Sequence, residues 1–385
     1  MKIAFIHSFK ITKRNDKYYS LGFPYKIWER YLTVFEEVVV VSRLNKKRNN
    51  KKLVQSSGDN VTFKPVKSYN SIFSYFTNYR AIKKELEEVL DDVDGAIIRV
   101  PSVLGALAAK ICREKNKKYS VEVVGSGFNA LWYHGTLGKP FAFIAEYLQR
   151  KTVKKSAVAV YVTEDYLQSK YPTQGIPFGK VSNVTVEKNN KEKSYEINRN
   201  TPIRIGLVGS SFVKYKGHYT ALKTLEVLLK KEYNVVLSLV GQGPSKYLDD
   251  NIKKLNLKDN IEILGVLHTR EQMNEWYKSL DFYVQPSFTE GLCRSIIEAI
   301  DNGVPTYASN VGGNPESVSQ EYLFNKKDYK HLAQLVSEAI DNPNIAINNI
   351  EKNKKKIEKF KTTDVEKRRK KAFETYKKIV KENLK

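Results

Sequence analysis

The sequence predicts an α/β protein with two lobes, each built on a parallel sheet, that face each other across a cleft. Two observations favour this architecture. Short runs rich in Val and Ile alternate with helical patterns along most of the 385 residues, which is typical of parallel sheets covered by helices on both faces. The alternation pauses once, in a polar segment rich in Lys and Asn, and then restarts. We therefore expect an N-terminal lobe over residues 1–185, a linker over 186–201, a C-terminal lobe over 202–361 and a closing helix over 362–385.

The N-terminal lobe contains five apolar runs separated by helical patterns. The runs are continuous rather than alternating, as expected for strands buried on both faces. Pro101 stands near the first turn of one predicted helix, where its missing N–H costs nothing. The predicted strands are 3–7, 37–43, 95–100, 119–125 and 157–163, and the predicted helices are 25–35, 81–90, 101–116 and 143–156.

The C-terminal lobe repeats the alternation after Pro202. Gly303 follows one apolar helical run and suits a helix C-terminus. In open α/β sheets, ligands bind beyond the carboxyl ends of the strands, so we expect the functional residues there. The predicted strands are 203–210, 234–241, 261–267, 281–287 and 305–309, and the predicted helices include 218–231 and 292–300.

The closing segment begins with a capping-box pattern, Thr363 followed by Glu366 three residues later. A thin apolar stripe follows, through Ala372, Phe373, Tyr376 and Val380. Two arrangements are open for this helix. It is either a solvated terminal helix or a helix that packs across both lobes.

The charge of the chain is strongly positive. Lys and Arg number 66 against 42 Asp and Glu, a formal net charge of +24. Such an excess favours polyanionic partners, and lysines that serve solubility alone are the alternative. We recognise no nucleic-acid-binding module and expect no nucleic acid partner. An anionic membrane surface is a further hypothesis, with the helix at 25–32 and the basic residues 46–52 resting on lipid headgroups.

Cysteine usage and hydropathy indicate the compartment. Two cysteines, Cys112 and Cys293, are too few for a disulfide framework, which favours a reducing cytoplasm. No apolar stretch approaches the ~20 residues that span a bilayer, and the first residues lack the cleavage site of a signal peptide. We expect a cytoplasmic protein, peripheral on the inner face of the cell membrane under the membrane hypothesis.

The segment PSFTEGLCRSIIEAIDNGVPTYASNVGGNPE places Glu290 and Glu298 around one strand-to-helix turn. Gly291 allows close backbone approach, and the N–H groups at a helix start favour an anion. A phosphate would bind the amides of Gly291, Leu292 and Cys293. Glu298 would accept hydrogen bonds from a ribose diol, and Glu290 would orient a sugar hydroxyl. Taken alone, the two glutamates fit a helix-end charge and a surface residue equally well.

Four further segments precede this one in order: IRIGLVGS, KYKG, LSLVGQGP and EQMNEWYKSLDFYVQPS. Together they resemble the retaining glycosyltransferases of family 4, which have the GT-B fold of two Rossmann-like lobes. The resemblance covers residues 203–316. It implies transfer of a sugar, with retention and without a metal or other cofactor, from a nucleotide-diphosphate sugar (a UDP-sugar favoured) to a glycan or lipid-linked acceptor. The Lys/Asn bias and an N-terminal lobe that matches only in layout favour bacterial surface polysaccharide synthesis.

The resemblance also implies roles for single residues. Glu290 faces the donor sugar and Lys216 neutralises the diphosphate, so these two are the expected catalytic residues. Glu298 binds the nucleotide ribose. The remaining donor-side residues are Gly22, where the first lobe approaches the diphosphate, Gly265, whose backbone meets the base, Ser210, Lys214 and the three amides named above.

One departure from the family pattern concerns the phosphate contacts. The family places an arginine soon after the glycine that matches Gly209, whereas this sequence has Ser210 and Ser211. Lys214 is the candidate substitute, although a lysine lacks the bidentate fork of arginine. A non-catalytic partner that binds glycan or membrane is therefore an open alternative, as is a GT-B sugar-nucleotide epimerase.

Polar residues of the N-terminal lobe are candidates for the acceptor side. They lie in or after two predicted strands and are Arg99, Glu122, Asn129 and His134. Asp92 and Asp94 form a D-x-D pair, which binds a metal in other glycosyltransferases. Their position just before a strand favours turn formation instead, so we expect no catalytic metal.

Overall fold

The apolar runs form two separate sheets in a computed structural model, which describes residues 1–45, 53–69, 71–133, 138–186, 195–198 and 200–384. The chain divides into two units with their own cores. The first unit comprises Met1–Leu131, Pro140–Val181 and Glu366–Lys385, and the second comprises Trp132–Lys139 and Ser182–Val365.

The first unit is built on a nine-stranded sheet with the central order β2-β1-β6-β7-β8. The strands are β1 (Lys2–Arg14), β2 (Lys17–Ser20), β3 (Glu37–Leu44), β4 (Val54–Gln55), β5 (Val61–Phe63), β6 (Gly95–Val100), β7 (Tyr119–Val123), β8 (Val158–Tyr161) and β9 (Ile176–Phe178). Strand β1 pairs in parallel with both β3 and β6. The helices in this part of the chain are α1 (Lys26–Leu32), α2 (Ile72–Thr77), α3 (Tyr79–Asp91), α4 (Val103–Glu114), α5 (Gly127–Trp132), α6 (Lys139–Lys154) and α7 (Tyr166–Lys170).

Strand β1 is longer than the predicted 3–7 because it continues into a hairpin. Arg14 pairs with Lys17, and the two-residue turn between them is Asn15-Asp16. Both turn residues have positive φ, 43° and 54°, which is the conformation of the turns that join twisted antiparallel strands. Asn and Asp tolerate this conformation better than most residues. The Asn15-Asp16 pair is a turn signal in the sequence, but the neighbouring residues are too polar to predict a strand from their hydropathy.

The second unit contains a six-stranded parallel sheet in the order β12-β11-β10-β13-β14-β15. The strands are β10 (Ile203–Val208), β11 (Val235–Val240), β12 (Ile261–Gly265), β13 (Phe282–Gln285), β14 (Thr306–Ser309) and β15 (Leu323–Phe324), and the helices are α8 (His218–Lys230), α9 (Lys246–Lys254), α10 (Arg270–Lys278), α11 (Arg294–Asp301), α12 (Tyr329–Asp341) and α13 (Pro343–Ile357). Strands β11 and β12 follow β10 on one side of the sheet, and β13, β14 and β15 follow on the other side. The strand order therefore reverses between β10 and β13, where open α/β sheets bind ligands.

The last helix, α14 (Thr362–Asn383), buries its apolar stripe. From Glu366 onward it belongs to the first unit, and the Phe373 ring stacks on Tyr31 at 5.1 Å between centroids. Tyr376 is fully buried, and its hydroxyl accepts a hydrogen bond from the Ala96 amide at 2.7 Å. The solvated arrangement is therefore wrong for this helix.

The apolar face of the helix that was expected to touch a membrane is also buried. Trp28 and Tyr31 of α1 are 0% exposed and belong to the core of the first unit, because the apolar face of this short helix covers the sheet. The basic residues 46–52 lie outside the described part of the chain. Among the described residues, no helix is long and apolar enough to cross a bilayer.

We expect Tyr376→Phe to destabilise the first unit by about 1–3 kcal/mol. Without the hydroxyl, the Ala96 amide loses its partner, and the carbonyls of Ala96 and Lys118 lose the donor now 3.0 and 2.9 Å away. A buried polar group left unpaired costs about this much. Urea unfolding measures the effect, with Tyr147→Phe on an exposed tyrosine as the matched control. Equal unfolding free energies for the two variants would contradict the assigned role.

Candidate functional site

The loop that follows β10 is locked against the end of β13 in the second unit. A short 3-10 turn spans Lys214–Lys216, and Gly217 follows it with φ of 78°. A Cβ at Gly217 would lie 1.9 Å from the carbonyl oxygen of Pro286, so both its conformation and its contact require glycine. The Phe288 amide donates to the Tyr215 carbonyl at 2.7 Å. These contacts place the Lys216 side chain over the end of β13.

Lys216 and Glu290 form a largely buried ion pair at this point. The Lys216 Nζ lies 2.8 Å from Glu290 Oε1, and the two side chains are 20% and 10% exposed. Burial disfavours the charge of Lys216, but the neighbouring Glu290 carboxylate outweighs this effect and raises the Lys216 pKa. The lysine is therefore a fixed cation at the position where the strand order reverses.

Glu290 is held by one carboxylate oxygen. Ser287 Oγ donates to Oε1 at 2.7 Å, the same oxygen that meets Lys216. Within the described chain, no hydrogen bond reaches Oε2 of Glu290. A side chain with one oxygen anchored and the other available is suited to accept a hydrogen bond from a ligand hydroxyl.

Sequence reasoning missed the buried polar residues that hold Ser287. Gln285 Nε2 donates to Ser287 Oγ at 2.8 Å, and Ser309 Oγ donates to the Ser287 carbonyl at 2.5 Å. All three side chains are 0% exposed. Polar residues at the carboxyl end of an apolar strand were the available signal, because a buried polar group needs a partner.

The helix after Glu290 begins later than expected. Helix α11 starts at Arg294 with Cys293 at its N-cap, not at residue 292. The Gly291 and Leu292 amides therefore lie in the loop, where neither donates a hydrogen bond within the described chain. The segment after β14 braces this loop, since the Gly313 amide donates to the Gly291 carbonyl at 2.9 Å. The expected anion contact at these amides stays a prediction, and the amides belong to the loop before α11 rather than to the helix.

Cys293 does not have the character of a nucleophile. Burial raises the pKa of its thiol to about 11, and the charge of Glu290 adds to this effect. A thiol protonated at neutral pH reacts poorly, because the thiolate is the nucleophilic form.

Glu298 lies one turn into α11 and is also held by one oxygen. The Tyr277 hydroxyl donates to Glu298 Oε2 at 3.1 Å, and no hydrogen bond within the described chain reaches Oε1. Glu298 is half-buried. Both glutamates of the motif thus combine a protein contact on one oxygen with an available second oxygen.

The remaining donor-side residues occupy different positions. Gly265 ends β12 with φ of 71°, and its carbonyl accepts from the Gly241 amide at 2.7 Å. Lys214 is exposed, and its Nζ lies 4.6 Å from the ring centre of Tyr247. Ser210 is half-exposed, whereas the neighbouring Ser211 is buried and its Oγ accepts from the Ser245 amide at 2.9 Å. Their roles toward a ligand stay predictions.

Two of the expected acceptor-side residues pair with each other in the first unit. Arg99 lies 3.3 Å from Glu122 Oε2, and the Tyr31 hydroxyl donates to Oε1 at 2.7 Å. Both oxygens of the buried Glu122 therefore already accept a bond. This gives the carboxylate a structural role that sequence reasoning missed, and acceptor contacts by Arg99 and Glu122 stay predictions.

Three further candidates were predicted in the N-terminal lobe, Gly22, Asn129 and His134. The Asn129 amide donates to Ser126 Oγ at 3.3 Å at the start of α5. Gly22 lies in an exposed bend, and a Cβ there would meet nothing within 4 Å. His134 lies outside the described residues.

The D-x-D carboxylates have partners within the protein. Asp92 Oδ2 accepts from Lys2 Nζ at 2.8 Å, and Asp94 Oδ2 accepts from the Lys2 amide at 2.7 Å. These bonds join the end of α3 to the start of β1. Across the described ranges, no three His, Cys, Asp or Glu side chains are grouped so as to hold a metal ion.

Comparison with known proteins identifies the family. Residues 188–357 match the family model described as glycosyl transferases group 1. The chain is also 44% identical over 382 residues to Protein CapJ of Staphylococcus aureus, covering 99% of this chain and 97% of that protein. The chain belongs to the group 1 glycosyltransferases. It is therefore an enzyme of sugar transfer.

Two further comparisons concern parts of this glycosyltransferase and its fold. The chain is 25% identical over 224 residues to the capsular polysaccharide biosynthesis glycosyltransferase CapM of Staphylococcus aureus, covering 54% of this chain and 58% of that protein. The crystal structure of Anabaena HepE in complex with UDP-glucose superimposes with a TM-score of 0.64 at 14% identity, covering 96% of this chain and 98% of that one. The two Rossmann-like units are those of the GT-B fold.

We expect His218→Gln to flatten the pH dependence of stability of this glycosyltransferase. His218 is 4% exposed, and its burial lowers the pKa of the imidazole to about 4. The hydrogen bond to the Gly209 backbone opposes this shift, and the charge of Lys216 adds to it. Between pH 6.5 and 4 the unfolded chain binds a proton that the folded ring does not. The contribution of His218 to the free energy of unfolding is therefore present above pH 6.5 and is lost as the pH falls to 4. The loss is up to about 3 kcal/mol.

Urea unfolding of the second unit at several pH values measures this effect. His268→Gln, on an exposed histidine of the same unit, is the matched control and should leave the wild-type slope unchanged. If His218→Gln has that slope as well, His218 is not the group responsible.

Proposed function

We propose that this glycosyltransferase moves a sugar, with retention of anomeric configuration, from a nucleotide-diphosphate sugar to a glycan or lipid-linked acceptor. A UDP-sugar is the favoured donor, and a bacterial capsular polysaccharide is the proposed product. The observation that carries the proposal is the Lys216–Glu290 pair at the point where the sheet order reverses. CapM supports the pathway, and HepE with UDP-glucose supports the donor.

Lys216 supplies the positive charge that the reaction needs. As the bond from the anomeric carbon to the phosphate breaks, the nucleoside diphosphate gains negative charge. A fixed cation in a site of low exposure stabilises that charge without reorganisation. The contact with Glu290 holds the ammonium in place before the donor binds. We assign the unpaired amides of Gly291 and Leu292 to the same phosphates.

The two glutamates are assigned to different parts of the donor. We assign Glu290 Oε2 to a hydroxyl of the sugar, because Oε1 is already occupied by Lys216 and Ser287. We assign Glu298 Oε1 to the ribose, because Tyr277 occupies the other oxygen. Each contact leaves the internal hydrogen bonds of the site intact.

The proposed step needs no covalent intermediate. The acceptor oxygen attacks the anomeric carbon on the face from which the diphosphate departs. One carbon–oxygen bond breaks and another forms, and the acceptor proton passes to a phosphate oxygen. In this step Glu290 positions the sugar through Oε2, while Lys216 and Ser287 hold Oε1.

We expect Glu298→Ala to lose the stabilisation that UDP gives. A ligand at about 100 times its dissociation constant stabilises the fold by about 2.7 kcal/mol. Thermal unfolding with millimolar UDP, GDP or ADP measures this, and we expect UDP to raise the wild-type midpoint most. Glu275→Ala, on the exposed side of α10, is the matched control and should respond like wild type. An equal UDP response of Glu298→Ala would refute the ribose assignment.

We expect Glu290→Gln to separate binding from turnover. UDP lacks the sugar, so the midpoint shift with UDP should persist. Release of UDP from UDP-glucose should fall by about 10²–10³ fold, as when one transition-state contact is removed. Product analysis by NMR with donor alone distinguishes the epimerase alternative, which would yield a new nucleotide sugar. Unchanged turnover in Glu290→Gln would exclude Glu290 from the reaction.

A further inference from the structure

Helix α6 presents large apolar side chains to solvent in the first unit. Ile144 is 56% exposed and Tyr147 is 63% exposed, and Leu148 beside them is 36% exposed. Phe143 is 65% exposed although its ring packs edge-on against Phe128 at 5.3 Å. A contiguous exposed apolar surface of this kind marks an interaction site.

The inner face of the same helix does not need these residues. Its buried positions are mostly small or polar, with Ala142 and Val153 at 0% and Gln149 at 4% exposure. Gln149 anchors the helix, because its side chain accepts from the Gly127 amide at 2.6 Å and donates to the Gly125 carbonyl at 2.8 Å. The outer apolar residues therefore serve something other than the packing of α6.

The exposed face continues as a basic surface toward the end of the helix. Ile144, Tyr147, Lys151 and Lys154 follow one another at spacings of three and four residues, which places them on one face of a helix. Lys151 and Lys154 are exposed. Glu146 is turned away and is already paired, accepting from the Tyr171 hydroxyl at 2.6 Å and from Arg150 at 3.0 Å. The face thus carries positive charge, and the carboxylate of α6 is already paired.

A basic pocket opens at the end of α6. It has a volume of about 340 Å³ and lies at the amino ends of β7 and β8. Among the described residues, its lining contains no acidic side chain and five cationic ones: Arg113, Lys117, Lys118, Lys154 and Lys155. Within the described chain, none of the five forms an ion pair. Two acids close to the pocket residues in sequence are engaged elsewhere, Glu114 with Lys110 and Glu122 with Arg99.

We propose that the outer face of α6 and the basic pocket form one docking surface for an anionic membrane. The apolar first half would enter the boundary between headgroups and acyl chains, as amphipathic interfacial helices do. The lysines of the second half and the pocket would meet lipid phosphates, whose attraction for basic residues acts close to the surface. The combination of the two chemistries on one face favours a membrane over a free phosphate or a protein. The surface goes beyond the proposed function, since it includes no residue of the donor site.

Vesicle flotation tests the proposal. Wild-type protein is mixed with phosphatidylcholine vesicles, or with vesicles that contain about one-third phosphatidylglycerol, at 0.1 and 0.5 M salt. We expect binding to the anionic vesicles alone and weaker binding at high salt. Ile144→Ser should weaken partitioning severalfold. Lys151→Glu with Lys154→Glu should weaken it tenfold or more, because both lysines would face the headgroups.

Matched controls test whether the position of the substituted residues matters, or only the change in the protein's total charge and hydropathy. Lys253→Glu with Lys254→Glu makes the same charge change on exposed lysines of α9, and Ile347→Ser removes an exposed isoleucine of α13. Both controls should bind like wild type. All variants should keep the UDP-induced shift in thermal midpoint, so that a failure of membrane docking is distinguishable from a failure of the donor site.

Three outcomes would overturn the proposal. The first is equal wild-type binding to both vesicle types, or binding to neither. The second is a loss in the Lys253/Lys254 control as large as that in the Lys151/Lys154 variant. The third is a wild-type dimer in sedimentation equilibrium that Ile144→Ser converts to a monomer, which would make α6 an interface between two copies of the chain.

Discussion

The buried ion pair between Lys216 and Glu290 sets the geometry of the second unit's site. Taking two charges out of water costs several kcal/mol per ion, so the pair must be close and well hydrogen-bonded. The fold meets this condition by bringing two backbones into contact. Gly217 packs on the Pro286 carbonyl, and a Cβ at Gly312 would lie 2.0 Å from the Glu290 carbonyl oxygen. A side chain at Gly217 or Gly312 would therefore displace the backbone next to the pair.

The carboxylates of this site differ from a structural carboxylate of the first unit in how their two oxygens are bonded. A buried carboxylate usually uses both oxygens within the protein, as Glu122 does with Tyr31 and Arg99 in the first unit. Glu290 and Glu298 instead each use one. The contrast separates a carboxylate with both oxygens bonded from two with one oxygen available, and it supports the binding roles proposed for Glu290 and Glu298. Polar atoms that the fold leaves available are the physical basis for the proposed contacts to sugar and ribose.

The sequence was sufficient for the two lobes with their parallel sheets and for most of the strands, because these depend on short-range apolar patterns. It could not predict that Ser287 and Lys216 share one oxygen of Glu290. Lys216 and Glu290 are 74 residues apart, and they meet because β10 and β13 are neighbours. The sequence also could not predict which surface the apolar face of α1 covers. An aromatic amphipathic helix has the same pattern whether it covers a sheet or a membrane, and only the packed core showed Trp28 to be buried.

Helix α6 presents the reverse case, because its large apolar residues lie on the outside. Its sequence has apolar residues on two sides, so periodicity alone does not say which side is inside. The packing decides, because small side chains such as Ala142 let the helix lie close against its neighbours, while Ile144 and Tyr147 are left outside. A helix that keeps its large apolar residues in water forgoes the stability that their burial would bring. That loss is compensated when a surface outside the protein covers them, and the basic end of α6 selects an anionic one.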